Sequence, residues 1–300
     1  MSEAIVGVEP SRETTRTRRA DSLWWSTARE VLLKNPMGAT GAIILLALII
    51  GGLGAPLIAP HDPLEQFRGS RFETPSMAHW AGTDALSRDL FSRILYGLRA
   101  SLMVSIVAVG IGTVVGVSLG LIAGYAGGIA DSVIMRFVDT MMAFPGLILA
   151  IGLLAVFGVG LQSVALALGI GAWPNFARLA RGQMLAERPR DYVTAARALG
   201  ASSKRIIFRH ISINAMPPLI VQVALSMATA VLAEAALGFL GIGTVAPNPS
   251  LGSLINDARA RLDLPYLLIF PAAALGLFLL SLNLLADAIN DALDPHRQRR

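Results

Sequence analysis

Polar and apolar positions along this chain fall into long blocks. No Asp, Glu, Lys or Arg occurs between Lys34 and Asp62, Arg99 and Asp131, Asp139 and Arg178, Arg209 and Glu234, or Asp263 and Asp287. About 20 helical residues cross the roughly 30 Å hydrocarbon layer of a bilayer, so each gap holds at least one span. The Asp139–Arg178 gap is nearly twice that length and is broken at Gly158-Val159-Gly160, so it holds two. The pattern predicts six helices, at 38–59, 100–125, 133–157, 161–178, 215–242 and 265–288, and hence an all-α membrane protein.

Several positions inside these blocks stand out. Gly112, Gly116, Gly120 and Gly124 recur every fourth residue of the second span, a small-residue ridge suited to close helix packing. Before it, Thr83 or Asp84 can cap a helix, and Phe91, Ile94, Leu95 and Leu98 recur at helical spacing. Arg136 and Asp139 can pair on one face at the start of the third span. Phe144-Pro145 predicts a kink there, and Trp173-Pro174 another in the fourth span. Glu234 is a lone carboxylate among Ala and Leu in the fifth span, and with Arg136 and Asp139 it is a candidate for translocation or gating. Trp24-Trp25 suits the headgroup zone ahead of the first span.

Charge orients the spans. Basic residues crowd the N-terminal tail (Arg12, Arg16, Arg18, Arg19, Arg29, Lys34), the fourth-to-fifth connection and the C-terminus (Arg297, Arg299, Arg300). With six spans these three regions share one side, which the positive-inside rule makes cytoplasmic for both termini. The net charge of +5 therefore reflects topology and not nucleic-acid binding, since no basic stripe is interleaved with aromatics. The chain has no Cys, four scattered histidines, no HExxH, no GxSxG and no phosphate loop. It is expected to bind no cofactor and to catalyse no reaction, so uphill transport needs energy from a partner or an ion gradient.

One polar segment interrupts the apolar chain: DYVTAARALGASSKRIIFRH at 191–210. Asp191 can cap a short helix through Tyr192, Ala195, Ala196 and Leu199, Gly200 can stop it, and Ser202 or Ser203 can cap a second. The methyl side chains of Ala195 and Ala196 allow another protein to nest closely. Arg190, Arg197, Lys204, Arg205 and Arg209 surround that face. By physics alone the segment is either a docking element or a hairpin joining two spans.

The segment resembles the EAA loop of ABC importer permeases, with Thr194-Ala195-Ala196 and Gly200 at the family's spacing. AARALGASSKRIIFRHISIN is similar to the pattern of the C-type permease of dipeptide and oligopeptide importers, as are GTDALSRDLFSRILYGLRASL, MRFVDTMMAFPGLILAI and EAALGFLGIG. The likeness runs from about residue 32 to 295. It departs at Thr194 (usually Glu), at Ser212 and Ile213 (Leu-Pro), and at Ser87 and Gly238 (often Gly and Ser).

The resemblance implies a type-1 permease with six transmembrane helices in a bacterial cytoplasmic membrane. Residues 1–36 would be a cytoplasmic tail, and 37–99 the first span plus an extracytoplasmic loop. The transmembrane domain would cover 98–288, with the coupling segment at 190–213 and a C-terminal cytoplasmic tail at 289–300. The implied partners are a paralogous permease, two ATPase subunits that carry ATP and Mg, and an extracytoplasmic binding protein. The implied ATPase-docking residues are Tyr192, Thr194, Ala195, Ala196, Arg197, Leu199, Gly200, Ala201, Ser202 and Arg205. The expected cargo is a dipeptide or oligopeptide. Nickel, glutathione or another small solute would suit the same architecture, and an ion-coupled secondary transporter is the rival class.

Overall fold

The computed structural model describes residues 35–293. The tail with Trp24-Trp25 and the terminal Arg297, Arg299 and Arg300 lie outside the described residues. Among the described residues there are nine helices of eight or more residues and no strand: α1 Pro36–Leu53, α2 Leu90–Ala126, α3 Gly128–Met142, α4 Gly146–Phe157, α5 Leu161–Glu187, α6 Asp191–Ala198, α7 Ser212–Phe239, α8 Leu251–Ala258 and α9 Tyr266–Leu293.

Four of the helical stretches are long and apolar enough to cross a membrane: α1, α2, the continuous stretch Ser203–Phe239, and α9. A fifth span exists if α3 and α4 are counted as one. The expected fourth span lies in α5, which has 27 residues but is not among the helices apolar enough to qualify. The expected single third span is two helices that meet at 92°. The residue before a proline is driven out of helical geometry, and here Pro145 sits at an extended break instead of kinking a continuous helix. Pro174, by contrast, is accommodated inside α5.

The amphipathic pattern and the second span merge into α2, whose 37 residues span about 55 Å, well beyond a bilayer core. Its cap is Asp89, not Thr83 or Asp84: Asp89 accepts a hydrogen bond from the Ser92 amide at 2.8 Å. Thr83 and Asp84 instead stitch the preceding loop together. The Thr83 hydroxyl accepts from the Glu73 amide (2.8 Å) and donates to the Ser70 carbonyl, while Asp84 accepts from Arg88 Nε at 2.7 Å.

The glycine ridge of α2 lies along α5, and this seam is the most extensive helix pairing in the fold. A Cβ on Gly112 would stand 2.9 Å from Ala172 Cβ, and one on Gly124 2.7 Å from Met184 Cβ. At Gly116 and Gly120 it would overlap the carbonyls of Trp173 and Ala177. Lipid tails are as apolar as leucine, so such spans gain by van der Waals fit, which requires backbones this close. At the loop end of α2, Leu90, Ile94, Leu98 and Leu102 bury against Leu251 of α8 and Phe278 and Leu282 of α9.

Candidate functional site

At the other end of α2 the chain builds a short elbow. Val193 is wholly buried and anchors α6. It joins Leu121 of α2, Ala180 and Met184 of α5, and Ile206, Ile207, Ile211, Ala215 and Leu219 leading into α7. Tyr192 donates its hydroxyl to Glu187 Oε2 at 2.9 Å. The Tyr125 hydroxyl, at the end of α2, lies 3.2 Å from Ser203 Oγ. The elbow is thus seated on three long helices.

The termini of α6 are partly as the sequence suggests. Asp191 is not the cap: Arg190 holds that position without a side-chain hydrogen bond, and Asp191 is the first helical residue, where a carboxylate still suits the positive end of the helix. At the other end Gly200 has φ +79°. Its amide bonds to the Arg197 carbonyl and that of Ala201 to the Ala196 carbonyl, both at 3.0 Å, the paired closure that a left-handed residue permits. Ser202 caps the next turn through Oγ to the Arg205 amide at 3.4 Å. That turn runs into a π-helical stretch, Ile206–Ile211, and then α7 without a break.

The docking candidates divide by depth. Thr194, Ala195, Arg197, Gly200, Ser202 and Arg205 are exposed, and Leu199 is 88% exposed. Ala196, Ala201 and Tyr192 are half-buried against the apolar cluster. The two alanines therefore do not share a face: one turns outward and its neighbour inward. Leu199 is an exposed leucine on a segment whose Arg197, Lys204, Arg205 and Arg209 are also exposed, a composition that can meet a partner surface combining apolar and carboxylate groups.

The gating candidates are not brought together. Arg136 is exposed and does not pair with Asp139, because Asp139 reaches across to Arg178 Nη2 of α5 at 2.7 Å. A second pair ties α3 to α5: Arg181 grips Asp131 through two hydrogen bonds of 2.5 and 2.7 Å. Glu234 is 1% exposed and accepts from Ser101 Oγ of α2 at 2.6 Å, while its other oxygen has no hydrogen-bond partner. Asp131, Arg178, Arg181 and Ser101 were missed in the sequence, since their partners lie between 39 and 133 residues away.

The described residues thus form a helical chain with several candidate membrane spans and a polar elbow seated on its long helices. Residues 116–299 match the model for the binding-protein-dependent transport system inner membrane component, and residues 22–75 match the N-terminal TM domain of oligopeptide transport permease C. The chain belongs to this permease family, whose members are membrane subunits and not the nucleotide-hydrolysing ones. It is 41% identical to a dipeptide transport system permease protein of Alkalihalophilus pseudofirmus over 90% of both chains. It is 39% identical to a glutathione transport system permease protein of Pectobacterium atrosepticum over 93% of both. A probable D,D-dipeptide transport system permease protein of Escherichia coli is 39% identical over 98% of this chain and 97% of its own. An inward-facing MetNI methionine ABC transporter shares the fold, with a TM-score of 0.56 at 22% identity, over 67% of this chain and 96% of that one.

Proposed function

We propose that this chain is one permease of an ATP-driven peptide importer, and that α6 with the Gly200 closure is the element on which an ATPase subunit pushes. The observation that carries the reading is the seating of α6. Leu199, the residue that ends it, is exposed, while Val193 within it is locked into side chains of α2, α5 and the start of α7. A load on the outer face therefore reaches three long helices at once. Stiffness along the α2–α5 seam, where glycines leave no slack, favours transmission of that load towards the loop end.

Dipeptides and related small peptides are the cargo named for several relatives, and this supports the same class here. The complete assembly adds a paralogous permease, two ATPases holding ATP and Mg, and an extracytoplasmic binding protein. Near the loop end this chain offers hollows of about 270 and 250 Å³, below the roughly 300–1,000 Å³ of usual small-molecule sites. A path shared with a second permease accords with that size. With α5 counted as the fourth of six spans, the basic elbow and the basic tails fall on one side, which the positive-inside rule makes cytoplasmic.

The test is accumulation of a labelled dipeptide by proteoliposomes holding the purified assembly with its binding protein. Uptake should require ATP, survive collapse of the proton gradient, and fall when Leu199→Asp places a carboxylate on the outer face of α6. Uptake that stops on gradient collapse with ATP present would sink the reading. Competition by glutathione, the cargo named for other relatives, separates the two cargo classes.

A further inference from the structure

At the end of the fold opposite α6, His61, His79 and Asp89 converge although they come from two loop stretches and a helix cap. One ligating atom from each, a ring nitrogen or a carboxylate oxygen, lies within 4.8 Å of the others. His79 and Asp89 are buried and His61 is half-buried. The hydrogen bonds around them leave free lone pairs. His79 Nδ1 lies 3.0 Å from Asp89 Oδ1, and His61 Nε2 lies 3.1 Å from the Ala78 carbonyl. A carbonyl only accepts, so His61 carries its proton on Nε2 and leaves Nδ1 as a lone pair. His79 Nδ1 and Asp89 Oδ1 face each other, so both can ligate one ion, which would displace the proton shared between them and leave the His79 proton on Nε2. Asp89 Oδ2 is occupied by the Ser92 amide and hydroxyl at 2.8 and 2.7 Å, so the carboxylate cannot swing away. Phe67 packs on both imidazoles, with centroids 4.8 and 4.9 Å away.

Two imidazole nitrogens and a fixed carboxylate oxygen that lie together, with His61 Nε2 held by the Ala78 carbonyl, are the donor set and part of the outer support of a transition-metal site. We propose that His61, His79 and Asp89 bind one divalent first-row cation of the zinc type. The ion ties the start of the 60–89 loop to the cap of α2. Imidazole nitrogen selects such an ion over magnesium or calcium, which take oxygen ligands. Closing from 4.8 Å to the roughly 3.4 Å between ligands around one zinc needs only a small movement of the half-exposed His61.

The experiment uses the full chain in the assembly purified from the membrane, carrying no polyhistidine tag and stripped with a chelator. Equilibrium dialysis against zinc, read by metal mass spectrometry, should show a chelatable zinc that His61→Ala and His79→Ala each weaken at least tenfold. Cobalt should give visible d–d absorption that zinc displaces, a readout on the unaltered protein that does not depend on any variant folding. Circular dichroism before zinc is added should show the helicity of His61→Ala unchanged. Zinc uptake equal in wild type and both variants means adventitious binding only and overturns the proposal, as does the absence of zinc-displaceable cobalt absorption.

Discussion

Gly116 faces the carbonyl of Trp173 across the α2–α5 seam, with no room between them for a Cβ. The clash is with backbone, which cannot rotate away. Gly116→Ala should therefore destabilise the protein by about 1–3 kcal/mol, the usual range for overpacking. Gly110, earlier on the same helix, has nothing within 4 Å of its would-be Cβ. Gly110→Ala should be neutral or gain up to about 1 kcal/mol of helix propensity. Thermal unfolding of both variants in detergent checks the contrast.

The buried Glu234–Ser101 contact predicts a different signature. Ser101→Ala removes the partner seen at 2.6 Å and leaves a carboxyl group without its hydrogen bond, which should cost about 1–3 kcal/mol. Glu234→Ala leaves a cavity and an orphaned hydroxyl and should cost at least as much. The double variant should cost clearly less than the sum, since the two groups touch. An additive cycle measured by thermal unfolding would show that α2 and α7 are not joined through this pair.

How much of this was legible beforehand depends on the range of the interaction. The ridge at Gly112–Gly124 could be read because one helix carries the whole pattern, and the stop at Gly200 because a helix end is a local decision. The right-angled break at Pro145 was read as a kink, because local sequence does not say whether neighbouring helices will hold a bent helix together. Asp139 was assigned to Arg136 by proximity along the helix, yet Arg178 from α5 is the group within reach. Ser101 gave no signal at all. Its role exists only once α2 and α7 are side by side, and sequence spacing carries nothing across 133 residues.

Ser87 shows a departure from the resembled pattern whose cost can be measured. It stands where that family often has glycine, and it adopts φ +58°, a left-handed conformation that costs a residue with a Cβ about 1–2 kcal/mol. Glycine would relieve the strain but lose more chain entropy on folding. Ser87→Gly should therefore stabilise by about 0.5–1 kcal/mol net, and Ser87→Val should destabilise. Denaturation midpoints of the two variants should move in opposite directions.

Tyr192 links α6 to α5 through Glu187, and this link should have a pH signature. Burial raises the phenol above its ordinary 10.0, and the Glu187 carboxylate adds to that, with Asn214 and Arg190 opposing. A group whose folded pKa is raised contributes stability in full below its unfolded pKa and loses it as pH rises through the folded value. The stability difference between wild type and Tyr192→Phe should thus be about 1 kcal/mol and level across neutral pH. It should shrink only above the ordinary phenol value. A difference that disappeared near neutrality would mean that the hydrogen bond is not what Tyr192 contributes.

Gly200 separates strain from contact at the elbow itself. Nothing lies within 4 Å of a would-be Cβ there, so a side chain has space, but φ is +79°. Gly200→Val therefore acts on backbone conformation alone. It should open the closure that places Leu199 outward while leaving the buried anchor at Val193 in place. Cost to the fold should stay near 1–2 kcal/mol, because the closure is at the surface. If α6 is the pushed element, this variant should insert and assemble normally, and its assembly should hydrolyse ATP with little or no peptide uptake. Gly200→Asn, which tolerates the left-handed region better than valine, should recover part of the uptake. Normal ratios of peptide imported to ATP hydrolysed in the valine variant would place the motor contact elsewhere on this chain.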